Sequence, residues 1–253
     1  MLTFLGQVCF EFNIKDTRFL IDPYFSNSVE KEDSSLIRKV PIPYDPKELT
    51  DMDFVLITHA HGDHCDIETL RPLSVASPQC QFFGPPSVAG LLMRSGINAN
   101  NVHTVTDKSF SIKNIKFTPI PSAHPDVVID KFGGWMAIGY IFEIQGVRYY
   151  HPGDTAVAPQ VIASVSACGK IDVGMIPVNE CNYYRAANGI IGNMSVREAF
   201  QFSEDIGLKV LIPTHWDMFA GNQVYKEEIE LLYKKDNPNF KLLILEAGQS
   251  DVG

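Results

Sequence analysis

The sequence predicts an α/β protein in which two β-sheets pack face to face and helices cover the outside. Short apolar runs of strand type dominate the first part of the chain, and later runs alternate with helix-type segments. Strand-rich stretches followed by alternating strands and helices fit stacked sheets with outer helices. We see no linker in the 253 residues and predict one domain, 1–253, which is large enough for a substantial core.

The first part of the chain predicts two strands joined by a turn near residues 13–16, and then a long irregular connection. That connection, 26–50, contains Pro41, Pro43 and Pro46. Long connections of this kind tend to be lids or binding loops. Strands are predicted at 2–12, 17–22, 53–58 and 81–83, and helices at 65–73 and 86–94.

The remainder predicts alternating elements with clear turn signals. Gln145-Gly146 predicts a hairpin turn. Ser195 and Glu198 have the spacing of a capping box, which predicts a helix that ends near Gly207. A long polar loop is predicted over 179–193. Further strands are predicted at 110–112, 115–121, 137–144, 147–151, 173–177, 209–213 and 241–245, and further helices at 158–167 and 225–235.

The segment His59-Ala60-His61-Gly62-Asp63-His64 follows an apolar run and is the strongest functional signal. Imidazole and carboxylate groups suit zinc, manganese and iron. A tight turn at a strand end can direct alternate side chains at one ion and the next pair at a second. The alternative is a polar loop that is rich in histidine by chance, but the chain has only seven His. We therefore predict a metal site.

Three more apolar runs end in a residue of ligand type. The run 115–121 leads to His124, the run 147–150 to His151 and Asp154, and the run 210–213 to His215. In open layered α/β folds, sites gather beyond the carboxyl ends of strands. These residues are therefore expected to join the histidine-rich segment in one composite site.

This pattern resembles the metallo-β-lactamase superfamily, whose signature is H-x-H-x-D-H followed by a distal His, an Asp and a last His. The resemblance implies a four-layer αββα sandwich with one or two divalent ions at one edge, manganese or zinc with iron as an alternative. It assigns His59, His61 and His124 to one ion and Asp63, His64 and His215 to the other, with Asp154 bridging them. Asp63, His64 and Asp154 are also the candidate catalytic residues.

A metal ion can lower the pKa of a bound water from about 15.7 to about 7, so hydrolysis needs no Ser or Cys nucleophile. The segments 179–185 and 191–195 are similar to those of the L-ascorbate-6-phosphate lactonase group. That similarity implies opening of a lactone of a phosphorylated sugar acid by a metal-bound hydroxide. The alternatives are a metal-dependent phosphodiesterase of the same fold and a non-catalytic binding module.

Further residues are candidates for supporting roles. Asp22 either orients a ligand histidine through its ring N–H or forms the turn before Pro23, and His151 either contacts the site or packs. In the loop, Arg185 can bind a phosphate or carboxylate with its two-pronged guanidinium group, or it is a solvated charge. The candidate substrate-binding residues are Asn182, Tyr183, Tyr184, Arg185 and Asn193.

Composition limits the partners. The formal net charge of −9 disfavours a broad grip on nucleic acid, which needs clustered Lys and Arg. Five scattered Cys with no CxxC fit a reducing compartment. We found neither a signal peptide nor a membrane-span pattern. We therefore expect a cytoplasmic homo-oligomer that acts on a small anionic molecule, without a nucleic-acid or membrane partner.

Overall fold

The computed structural model describes residues 1–131 and 133–251, which form two compact units. The first unit comprises residues 1–106 and 218–221 and the described residues from 245 onwards, and the second comprises 107–217 and 222–244. Within the described residues, each unit contains one seven-stranded sheet with both antiparallel and parallel pairs. The prediction of a single domain stays a prediction.

The sheet of the first unit begins antiparallel and continues parallel. Its strands lie in the order β14-β1-β2-β3-β4-β5-β6, and the pairs from β3 to β6 are parallel. Leu20, Val55 and Phe82 are buried on neighbouring strands and share one hydrophobic cluster with residues of the helices. The strands are β1 (Leu2–Phe4), β2 (Phe10–Ile14), β3 (Thr17–Ile21), β4 (Phe54–Leu56), β5 (Gln81–Gly84), β6 (Val102–Thr104) and β14 (Ser250–Asp251).

The sheet of the second unit repeats this plan. Its order is β13-β12-β11-β10-β9-β8-β7, with antiparallel pairs from β7 to β10 and parallel pairs from β10 to β13. The strands are β7 (Phe110–Ile112), β8 (Ile115–Pro121), β9 (Ile138–Ile144), β10 (Val147–His151), β11 (Val173–Pro177), β12 (Val210–Thr214) and β13 (Lys241–Leu242).

Helices cover a hydrophobic cluster within each unit. In the second unit, Ser195 and Glu198 form the expected capping box at the start of α6. That helix buries Ala199 and Phe202 in the cluster of its own unit. The helices are α1 (Ser28–Glu32), α2 (Ile67–Ala76), α3 (Pro86–Arg94), α4 (Pro159–Ala167), α5 (Tyr183–Ala187), α6 (Val196–Asp205) and α7 (Lys226–Asp236).

Several predicted elements differ from the observed ones. The strand predicted at 2–12 is two strands, because a buried turn at 5–9 interrupts it. The two predicted loops each contain a five-residue helix, α1 in 26–50 and α5 in 179–193. The strand predicted at 241–245 is only two residues long. No helix of the described residues has the length and apolar character needed to cross a membrane.

Candidate metal-binding clusters

The histidine-rich segment follows the end of β4 and forms a compact cluster within the first unit. The rings of His59 and His64 lie 4.1 Å apart, and those of His59 and His61 lie 4.6 Å apart, centroid to centroid. His64 Nε2 is 3.6 Å from Asp63 Oδ2. His59 and His64 are buried, whereas His61 is exposed. The turn therefore gathers three imidazoles and one carboxylate around a small volume.

Asp22 fixes the base of this cluster from the end of β3. Its carboxylate is fully buried and accepts hydrogen bonds from the backbone N–H and the hydroxyl of Thr58, at 2.8 and 2.6 Å. His64 Nδ1 lies 2.8 Å from Asp22 Oδ2. A histidine that donates one ring N–H to a carboxylate presents its other nitrogen as a ligand. The observed contact is the one expected of an orienting aspartate, and that role stays a prediction.

Gln7 also contacts the cluster, and sequence reasoning missed it. Its Nε2 donates a hydrogen bond to Asp63 Oδ2 at 2.6 Å, and the side chain is buried. The backbone at Gln7 is left-handed, with φ of 58°. The available signal was Gly6, since a glycine inside an apolar run marks a break or a close backbone approach.

A second cluster lies within the second unit, around Asp154. One of its carboxylate oxygens, Oδ2, is 3.3 Å from His215 Nε2 and 3.6 Å from His124 Nε2. All three side chains are almost fully buried, at 4% exposure. The structure thus brings together three ligand-type residues from three different strand ends.

Hydrogen bonds between two loops hold His124 and Asp154 in register. Ala123 N–H donates to Thr155 Oγ1 at 3.0 Å, and Ala156 N–H donates to the Ala123 carbonyl at 2.6 Å. Ser122 Oγ adds a bond to the Pro152 carbonyl at 2.7 Å. The ends of β8 and β10 therefore form one rigid support for these two ligands.

The backbone and His151 also shape the second cluster. His215 has a φ of 60°, a left-handed conformation that is uncommon outside glycine. Such outliers are concentrated at functional sites. His151 Nδ1 accepts a hydrogen bond from Gly153 N–H at 3.1 Å. His151 thereby stabilises the turn that carries Asp154, and its functional role stays a prediction.

The cysteine beside the histidine-rich segment is a neutral thiol. Burial raises the pKa of Cys65 to about 12, with a further contribution from the charge of Asp22. In the absence of a metal ion, this shift keeps the Cys65 thiol protonated near neutral pH. The His and Asp residues stay the predicted metal donors.

The residues predicted to bind substrate fall into two groups. Tyr183 and Tyr184 are exposed on α5, and Asn182 begins that helix by accepting a hydrogen bond from Arg185 N–H. Arg185 is buried, and its guanidinium donates to the Gln223 carbonyl at 2.8 Å. Asn193 is also buried. Asn182, Tyr183 and Tyr184 face solvent. Arg185 and Asn193 are instead hydrogen-bonded within the protein and stabilise the loop at 179–193.

Asn193 belongs to a chain of buried amides. Its Nδ2 donates to Asn179 Oδ1 at 2.7 Å, and Asn179 Nδ2 donates to Asn222 Oδ1 at 3.0 Å. The three side chains connect the two ends of the loop with the segment after β12. The contact of Arg185 or Asn193 with a substrate stays a prediction.

Both donor sets fit a divalent ion. Two ligands that each lie about 2.1 Å from one ion at a tetrahedral angle are about 3.4 Å apart. The Asp63–His64 distance of 3.6 Å and the Asp154–His215 distance of 3.3 Å agree with that value. Imidazole and carboxylate donors without thiolate suit zinc, manganese and iron.

Residues 17–216 match the family described as the β-lactamase superfamily domain. This match covers most of the chain. The chain belongs to the metallo-β-lactamase superfamily. A UPF0173 metal-dependent hydrolase of Methanoculleus marisnigri is 27% identical to this superfamily member over 257 residues, which cover 100% of the chain and 96% of the relative.

Two other relatives of this superfamily member are longer. An N-acyl-phosphatidylethanolamine-hydrolyzing phospholipase D of Caenorhabditis elegans is 23% identical, over 86% of this chain and 64% of the relative. A probable L-ascorbate-6-phosphate lactonase of Salmonella paratyphi B is 25% identical, over 84% of this chain and 63% of the relative. The similarity to the lactonase group therefore reaches beyond the motif, at a low level of identity.

A solved structure confirms the predicted fold class. The crystal structure of a possible metal-dependent hydrolase from Veillonella parvula matches with a TM-score of 0.76 at 19% identity, over 98% of this chain and 97% of that one. At this identity the match establishes the fold alone. Family and relatives together establish that this metallo-β-lactamase superfamily member is a metal-dependent hydrolase.

Proposed function

We propose that the seven His and Asp residues of the signature serve one metal centre, with manganese or zinc as the expected ions and iron as the alternative. The observation that carries this proposal is the pair of clusters around Asp63 and Asp154, whose donor distances each suit a shared ion. When bound, a divalent ion supplies a water of lowered pKa and polarises the oxygen of the scissile group. All other contributions to the proposed hydrolysis come from the amino-acid side chains.

Those contributions are orientation and charge. Asp22 orients His64 through a hydrogen bond of 2.8 Å. Gln7 orients Asp63 through a hydrogen bond of 2.6 Å. Asp154 lies between His124 and His215 and presents one oxygen to both imidazoles. A fixed donor set does not need to reorganise during the reaction, which is the main advantage of a preorganised site.

The proposed substrate is a lactone of a phosphorylated sugar acid. The similarity to a probable L-ascorbate-6-phosphate lactonase supports it. Asn182 and the exposed Tyr183 and Tyr184 offer polar groups suited to sugar hydroxyls. Arg185 is the proposed phosphate contact, since an arginine binds phosphate through two parallel N–H groups. Phosphate binding far from the reacting carbonyl would position that carbonyl.

A phosphodiesterase is the second candidate. The relative named as a phospholipase D, an enzyme that hydrolyses a phosphodiester, supports it. In that case the phosphate would lie at the metal centre itself. The two candidates therefore predict different roles for the same anionic group.

The test compares L-ascorbate-6-phosphate, ascorbate and bis(p-nitrophenyl) phosphate as substrates for the wild type, Arg185→Ala and the control Arg197→Ala. Arg197 is exposed on α6 and pairs with Asp236. We expect Arg185→Ala to lose about 1.5–3 kcal/mol of stabilisation, roughly ten- to a hundredfold in rate, on the phosphorylated lactone only. Phosphodiester cleavage without lactone opening would decide for the second candidate. Equal losses on both lactones would remove Arg185 as the phosphate contact and would fit its hydrogen bond to Gln223.

A further inference from the structure

The turn between β1 and β2 has an unusual backbone. Gly6 and Gln7 are both left-handed, with φ of 96° and 58°. A Cβ atom at Gly6 would lie 3.1 Å from Met218 Cε and from Val40 Cγ1, so these side chains would have to shift slightly, and the left-handed backbone would be strained. A left-handed residue other than glycine is uncommon, and this one carries a buried side chain. We therefore asked what the side chain at this turn contacts.

The side chain of Gln7 contacts a predicted metal ligand. It is 1% exposed, and its Nε2 donates to Asp63 Oδ2 at 2.6 Å. The same oxygen lies 3.6 Å from His64 Nε2, the ring nitrogen opposite to the one that contacts Asp22. Oδ2 is thus the oxygen of Asp63 that faces the neighbouring ligand atom, and Gln7 holds it in place.

We infer that Gln7 is a positioning residue for the metal-binding oxygen of Asp63, an inference that rests on the proposed metal centre. The amide suits this role because it is a neutral donor. A lysine or arginine would hold the carboxylate equally well but would repel a cation beside it. A glutamate would add a second negative charge and remove the donor. Gln7 therefore orients Asp63 without changing the net charge at the ion.

The consequence concerns one ion rather than the whole centre. Gln7 contacts Asp63, which the family pattern groups with His64, whereas His59 and His61 are grouped at the other ion. Residues that hydrogen-bond to a metal ligand typically affect metal affinity ten- to a hundredfold. Loss of the Gln7 donor should therefore weaken one binding step by about that factor and leave the other within about twofold.

The test is a titration of the metal-free protein with zinc, in which calorimetry measures the heat of each binding step. The variants are Gln7→Met, which keeps the length and removes the donor, and Asp63→Ala, which identifies the step that depends on Asp63. The control is Gln145→Met, since Gln145 is also left-handed, with φ of 52°, and lies exposed in the β9–β10 turn. We expect Gln7→Met to weaken the Asp63 step and Gln145→Met to change neither step.

The outcomes separate this inference from the proposed function. A wild-type protein that binds neither zinc nor manganese nor iron would contradict the metal centre itself. Normal wild-type binding with two unchanged steps in Gln7→Met would overturn only the role of Gln7, as would an equal fall in both steps. NMR of the metal-free wild type gives a second measurement that does not depend on a variant folding. A side-chain amide of Gln7 that exchanges with water as rapidly as that of Gln145 would also overturn the inference.

Discussion

Replacing Asp22 with asparagine should weaken metal binding without removing a metal ligand. The buried carboxylate accepts hydrogen bonds from Thr58 N and Thr58 Oγ1, and it contacts His64 Nδ1 at 2.8 Å. Asparagine has nearly the same shape and tolerates the left-handed φ of 47° at this position. The change therefore tests the charge and the hydrogen-bond pattern rather than the backbone.

The expected loss follows from the geometry around Oδ2. In Asp22→Asn, an NH₂ group in place of Oδ2 would donate toward His64 Nδ1 and would favour the ring form with its proton on Nε2. Nε2 is the nitrogen that lies 3.6 Å from Asp63 Oδ2, and a protonated nitrogen cannot bind an ion. Changes at such partners cost about ten- to a hundredfold in metal affinity, or roughly 1.4–2.7 kcal/mol.

Asp66 offers a matched control. It is also a buried aspartate that accepts three hydrogen bonds, from Ser28 Oγ, Glu68 N and Thr69 Oγ1, and it caps α2. Asp66→Asn should lower the free energy of unfolding and leave metal affinity unchanged. The assay is metal content after dialysis, together with a competition titration against a chelator. An Asp22→Asn protein that binds metal as tightly as Asp66→Asn would refute the reasoning.

Three more predictions follow from the site and the fold. Chelation should abolish hydrolysis, and zinc, manganese or iron should restore it to differing degrees; full turnover by a metal-free His59→Ala protein would contradict the mechanism. Asn193→Ala should lower the free energy of unfolding by about 1–3 kcal/mol in urea denaturation, because the buried Asn179 Oδ1 loses its donor; an unchanged midpoint would show that the amide chain is not stabilising. Burial raises the pKa of Tyr24 from 10.0 to about 12, so its contribution to stability should be intact below pH 10 and decline as the pH rises to about 12. Urea midpoints at pH 8 and pH 11 measure that decline, and Tyr24→Phe should reduce it; an equal decline in both proteins would count against Tyr24.

The sequence was most informative where strand ends carry polar residues. β4, β8, β10 and β12 all end within three residues of a predicted ligand, as the apolar runs indicated. The end of a strand can be predicted from a single sequence, because it depends only on the local pattern of apolar and polar residues. The contacts around Asp154 depend on three such ends meeting, and only the family resemblance indicated that His124 and His215 would share this partner.

Elements fixed by tertiary packing were harder to predict. The turn at 5–9 lies within an apolar stretch, where periodicity gives no boundary, and Gly6 was the single cue. α5 is five residues long, too short for a period to appear, although Asn182 is a favourable first residue for a helix. The contact of Gln7 with Asp63 joins residues 56 positions apart, and no local pattern encodes it.

The pairing of β1 with β14 has a consequence for synthesis of the protein. Leu2 lies opposite Asp251 and Thr3 opposite Ser250, so β1 is paired with a strand that is synthesised much later. During synthesis on the ribosome, this edge of β1 stays unpaired until β14 has emerged. Open strand edges template association with other chains, and contacts this distant in sequence form slowly. Chains that terminate early would retain that edge, and we expect them to be substrates for chaperones and proteases rather than partly active hydrolases.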